Sequence, residues 1–119
     1  MNPTRTPQDS AIDRSWALNQ IGGDEELFGD IATVFLADSQ GLKRQLASDL
    51  ASGERNAIHQ TAHCIKSAVG NFGARHAMAA AQALETAAKE DARSDLPQLT
   101  ETLLRELNAV EDALRPYAA

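Results

Sequence analysis

Cysteine, aromatic residues, basic charge and long apolar runs are all scarce in this 119-residue chain, and each scarcity excludes something. The one cysteine, Cys64, rules out an internal disulfide and suits a reducing compartment, so the cytoplasm is the expected location. One Trp, one Tyr and three Phe, with few alternating Val-Ile-Thr runs, leave little to build a sheet from. No apolar run approaches the roughly 20 residues of a membrane span. Residues 1–10 carry two prolines and lack the apolar stretch of a signal peptide, so they read as a loose tail or linker remnant ahead of a domain over 11–119. Eleven bases against 17 acids give a net charge of −6, which disfavours nucleic acid and anionic membranes and favours protein partners. Nucleotide-binding loops of the GxGxxG or GxxxxGK[ST] type are missing, as is the GxSxG of serine hydrolases. The chain therefore has no visible means of acting as a self-sufficient kinase.

What the chain has is helical periodicity. A short first helix is expected over Ile12–Gln20, with Ile12 and Trp16 one turn apart, and Gly22-Gly23 breaks it. Asp24, Glu25 and Glu26 form an acidic first turn for a second helix. Leu27, Ile31, Val34, Phe35, Leu42, Leu46 and Leu50 mark that helix, either as one long element or as two collinear ones bent near Ser39–Gly41. Ser52-Gly53 closes it. The third helix is expected over Glu54–Phe72 with Gly73 as its stop, and the fourth over Arg75–Asp91. Ser94 or Asp95 can cap the fifth, where Leu96, Leu99, Leu103, Leu107, Val110 and Leu114 recur at spacings of three and four. Four amphipathic helices on short loops predict an all-α, up-and-down antiparallel bundle with the short N-terminal helix across one end. No second large apolar face is left for a stable dimer, so a monomer is expected.

The third helix holds the chemistry. Ile58, Ala62, Ile65, Val69 and Phe72 fall within about 40° of one line, and His63 points about 140° away from it, into solvent. Lys66 lies one turn on, where an ammonium favours phosphoryl oxyanions. Ser67 and Gly70 keep the same side small, and a glycine inside a helix, costing about 1 kcal/mol, is expected to clear room for another protein. Ile12, Trp16, His59, Ser67 and Gly70 are the residues expected to meet a partner. Glu85 on the fourth helix sits near the core direction, twelve residues after Gly73, while His63 is ten before it. An antiparallel hairpin puts the two at nearly equal height. Glu85 then either accepts from one imidazole nitrogen, fixing the tautomer, or snorkels to the helix edge. His59 and His63 also have the i, i+4 spacing of a metal pair, but Gln60 stands where a zinc protease needs glutamate and no further ligands converge. They read as two solvated histidines, and no metal or cofactor is expected. Cys64 has no cationic pocket to activate it, and His76 reads as surface.

The run Ala62-His63-Cys64-Ile65-Lys66-Ser67-Ala68-Val69-Gly70-Asn71-Phe72-Gly73 resembles the A-H-x-L-K-G-[SA]-[SA]-x-x-[LIV]-G pattern of histidine-containing phosphotransfer (HPt) domains. Gly22–Leu27, Phe35–Asp38 and the alanine-rich stretch ending Leu84-Glu85 extend the resemblance over about residues 16–115. It implies a phosphorelay intermediate of two-component signalling: His63 takes a phosphoryl group from a receiver-domain aspartyl phosphate and passes it to another receiver. The implied partners are response-regulator receiver domains and a hybrid histidine kinase, with Mg²⁺ on the receiver. Ser67 departs from the pattern, which usually has glycine there. A non-catalytic helical adaptor is the alternative function. An autokinase ranks last, since the H-E-x-x-[TN]-P of such enzymes is missing after His63.

Overall fold

The computed structural model describes residues 10–90 and 95–118, and among these every regular element is helical. The expected tail over residues 1–10 lies outside the described residues except for Ser10. Helix α1 (Arg14–Gln20) begins two residues later than expected, because Asp13 caps it by accepting the Trp16 N–H at 3.0 Å. Asp24 caps α2 (Glu25–Ser52) in the same way through the Leu27 N–H, with Glu25 and Glu26 in the first turn. Helix α2 is one uninterrupted element of 28 residues, and Gly53 ends it in the left-handed conformation at φ 71°. Ser39 does not break it. The hydroxyl is buried, 3.3 Å from the Leu36 carbonyl and 2.6 Å from Glu111 on the last long helix.

Helix α3 (Arg55–Gly70) stops short of Phe72, which sits in the turn before Gly73 and is still buried. Helix α4 (Arg75–Lys89) ends at Lys89; Asp91, its expected end, lies outside the described residues, as does the capping candidate Ser94. Asp95 stands at the N-cap of α5 (Leu96–Leu114) without a side-chain capping bond. Pro97 falls in the first turn, where no N–H is needed. A 3-10 turn, Arg115–Tyr117, folds back on α2.

The long helices touch in a closed ring, α2 to α3, α3 to α4, α4 to α5 and α5 to α2, which makes a four-helix bundle. Alanines supply much of the α4 core face (Ala77, Ala81, Ala87, Ala88), and α3 and α4 pack more extensively than any other pair. Helix α1 lies across the α3–α4 turn: the Asp13 N–H donates to the Phe72 carbonyl at 2.9 Å. Phe72 meets Phe28 and Phe35 edge-on at 6.0 and 5.3 Å between centroids.

Burial divides the apolar residues of the first two helices. Helix α2 buries Phe28, Ala32, Phe35 and Leu46, whereas Leu27 and Val34 are 41% and 59% exposed. Leu27, Ile31 and Val34 recur at helical spacing and form a second stripe beside the core stripe, of which Ile31 and Val34 line a groove between α2 and α3. Ile12, expected to meet a partner, is 8% exposed and belongs to the core, because the Asp13–Phe72 tie draws the chain ahead of α1 against the bundle.

Candidate functional site

Burial of Ile58, Ala62, Ile65 and Val69 turns His63 outward, leaving its side chain 58% exposed on α3. On α4 the burial of Ala81, Leu84 and Ala88 brings the neighbouring Glu85 to the α3–α4 seam, its side chain 12% exposed. Nδ1 of His63 lies 3.1 Å from Oε2 of Glu85. Nζ of Lys66 lies 3.0 Å from Oε1 of the same carboxylate and donates to Oε1 of Gln82 at 2.9 Å. Gln82 in turn donates to the Thr86 hydroxyl at 3.0 Å. His59, one turn before His63, places Nδ1 3.1 Å from the main-chain carbonyl of Glu85.

Charge decides the tautomer. Burial on its own would raise the Glu85 pKa, but the hydrogen bonds and charges of Lys66 and His63 outweigh it and hold the carboxyl below its ordinary 4.5. Glu85 is therefore an anion at neutral pH and accepts only. Neutral His63 then carries its proton on Nδ1, and Nε2, on the half of the ring away from Glu85, keeps a lone pair. An imidazole so held is a nitrogen nucleophile facing solvent beside a fixed ammonium.

The other expected site residues divide. Ser67 and Cys64 are exposed beside His63, and Trp16 is 44% exposed over the end of α3. Gly70 is half-buried rather than open. A Cβ built there would lie 3.7 Å from Cε of Met78, so the missing side chain faces α4 as well as solvent. His59 is 31% exposed and tied to Glu85, not a freely solvated histidine. The sequence reading missed Gln82, although its position three residues before Glu85 on α4 mirrors Lys66 three after His63 on an antiparallel helix. It also missed an apolar groove of about 320 Å³ between α2 and α3, lined by Ile31, Val34, Phe35, Leu42, Ala68 and Phe72. Among the described residues no group of three or more His, Cys, Asp or Glu is placed to hold a metal ion, and no helix is long and apolar enough to cross a membrane.

Comparison with known proteins places this chain in a family. The Hpt domain family matches residues 30–113, a span that holds His63, Lys66 and Glu85. The crystal structure of histidine-containing phosphotransfer protein B (HptB) from Pseudomonas aeruginosa PAO1 matches with a TM-score of 0.82, covering 89% of this chain and 92% of that one. At 24% identity that likeness establishes the fold. No curated protein matches the sequence. With most of its length matched, the chain belongs to the Hpt domain family.

Proposed function

We propose that this protein is a phosphorelay intermediate whose His63 accepts a phosphoryl group from a receiver-domain aspartyl phosphate and delivers it to the aspartate of a second receiver. The observation that carries this reading is the exposed imidazole held at Nδ1 by an ionised, semi-buried carboxylate. The Nε2 lone pair attacks phosphorus, a P–N bond forms, the P–O bond to the aspartate breaks, and the aspartate leaves as a carboxylate. The Nδ1 proton stays between His63 and Glu85, and the return step reverses each bond. Phosphoryl transfer is mainly positioning and charge stabilisation. Lys66, held between Glu85 and Gln82, supplies a cation one turn from the nucleophile. The receiver brings Mg²⁺ and the remaining catalytic groups, so no cofactor is assigned to this chain. Exposed Trp16, Leu27 and Val34, with the α2–α3 groove, offer an apolar surface on which a receiver can dock.

The test is incubation with a receiver charged by acetyl phosphate, followed by assay for acid-labile, base-stable label. Wild type is expected to take label and His63→Gln none, with the stability of the variant within about 0.5 kcal/mol of wild type. Label on His59 or His76 in His63→Gln would remove the assignment. Label from ATP alone would point to an autokinase.

A further inference from the structure

Two imidazoles converge on one carboxylate oxygen at this site. Oε2 of Glu85 lies 3.1 Å from Nδ1 of His63 and 3.9 Å from Nε2 of His59. The other nitrogen of His59, Nδ1, sits 3.1 Å from the Glu85 carbonyl. A carbonyl can only accept, so neutral His59 carries its proton on Nδ1 and turns an unprotonated Nε2 towards Oε2. In that state His59 offers Oε2 no hydrogen bond. On protonation Nε2 gains an N–H 3.9 Å from an anion, close enough to draw charge from Oε2 and to compete for it. Oε1 already faces Lys66 at 3.0 Å, so the new donor competes with His63 for the remaining oxygen.

Other charges face His59 from both helices that pack around it. On α3, Arg55 lies one turn before it, with its guanidinium donating to the Ala88 carbonyl at 3.2 Å, and His63 lies one turn after. Glu85 and Lys89 on α4, with Glu90 at its C-cap, line a hollow of about 410 Å³ with His59. Of these groups Glu85 is bonded directly to the ring.

We propose that His59 is a positioning residue for phosphoryl transfer at His63, acting through Glu85: neutral, it leaves Oε2 to His63, and protonated, it takes a share of that oxygen. The proposal rests on the phosphotransfer reading above. Sharing Oε2 loosens its hold on the His63 Nδ1–H, which makes Nε2 a weaker nucleophile. Acceptance by His63 therefore falls in mild acid by more than the protonation of His63 alone accounts for.

His59→Asn separates the two nitrogens. Its side-chain amide can donate to the Glu85 carbonyl as Nδ1 does, and it has nothing at the Nε2 position that titrates. The 119-residue wild-type chain, His59→Asn and His63→Gln are labelled with phosphoramidate across about pH 5–8, the range in which histidine changes charge. The ratio of the rate at the alkaline end to that at the acid end is expected to be at least about threefold smaller in His59→Asn than in wild type, reflecting one weakened hydrogen bond. Equal ratios overturn the role of His59 while leaving His63 as acceptor. Wild type that takes no label, or His63→Gln that takes as much as wild type, overturns the phosphotransfer reading instead. Imidazole ¹⁵N NMR of the unphosphorylated wild type gives a readout that needs neither labelling nor a folded variant. The His63 Nδ1 resonance is expected to move at the His59 titration as well as at its own, and a single step overturns the proposal.

Discussion

Glu85 serves three neighbours at once, with Oε2 for His63, Oε1 for Lys66 and its carbonyl for His59. Its carboxyl is depressed in the folded state because Lys66 and His63 outweigh the opposing effect of burial. A group with a lowered folded pKa contributes stability that is present above its unfolded value and lost as pH falls through the folded one. Glu85→Gln should therefore destabilise the bundle at neutral pH, with the gap between variant and wild type closing as pH drops below 4.5. Urea midpoints at about pH 7 and about pH 3 check this, and a gap of equal size at both would show that the charge of Glu85 does not stabilise the fold. The same variant should slow label uptake from phosphoramidate, since an amide is a weaker acceptor for the Nδ1–H than a carboxylate.

Two glycines near the end of α3 respond oppositely to the same substitution, for reasons that belong to the packing of elements. Gly73 has φ 61°, and a Cβ there would lie 2.9 Å from Cβ of Asp13 and 3.0 Å from Cε3 of Trp16. Gly73→Ala combines left-handed strain with collision against α1 and should cost about 2 kcal/mol. Gly70→Ala makes only ordinary contact with the flexible end of Met78 and should stabilise by up to about 1 kcal/mol. Thermal melts of both variants decide, and stabilisation by Gly73→Ala would mean that α1 does not pack over that turn. Gly73 was legible as a helix stop from its place after an apolar run, and the faces of α3 and α5 were legible from their spacing. The orientation of Gly70 towards Met78 was not, because it depends on the rotation of α4 against α3. The exposure of Leu27 and Val34 and the burial of Ile12 were not legible for a related reason: a single helix shows which residues share a stripe, not which of two adjacent stripes a neighbour covers. Glu85 was legible through the hairpin count, whereas Gln82 and the second contact of His59 needed side-chain positions on both helices.

Across the whole molecule, three carboxylates join neighbouring helices around the ring. Asp49 on α2 accepts from Thr61 of α3 at 2.6 Å and from Gln45 at 2.7 Å. Glu85 joins α4 to α3. Glu111 on α5 is 2% exposed and accepts from Ser39, Lys43 and Gln40 of α2 at 2.6, 2.9 and 3.2 Å. The Glu111 cluster occupies the α5–α2 edge, which in the ring order stands opposite the α3–α4 edge that carries His63. The buried Glu111 network and the proposed phosphoryl acceptor His63 thus lie on different edges of the same bundle, and the first can be perturbed without touching the second. Glu111→Ala removes the shared acceptor, leaving the buried Ser39 hydroxyl without its carboxylate and Lys43 without its ion-pair partner. Breaking a buried pair from one side costs about 3 kcal/mol, so the urea midpoint should fall substantially. The fraction that stays folded should still accept label on His63 at the wild-type rate. A Glu111→Ala variant as stable as wild type would show that α2 and α5 are held by apolar contacts alone. A slowed but fully folded variant would show instead that the two edges are mechanically coupled.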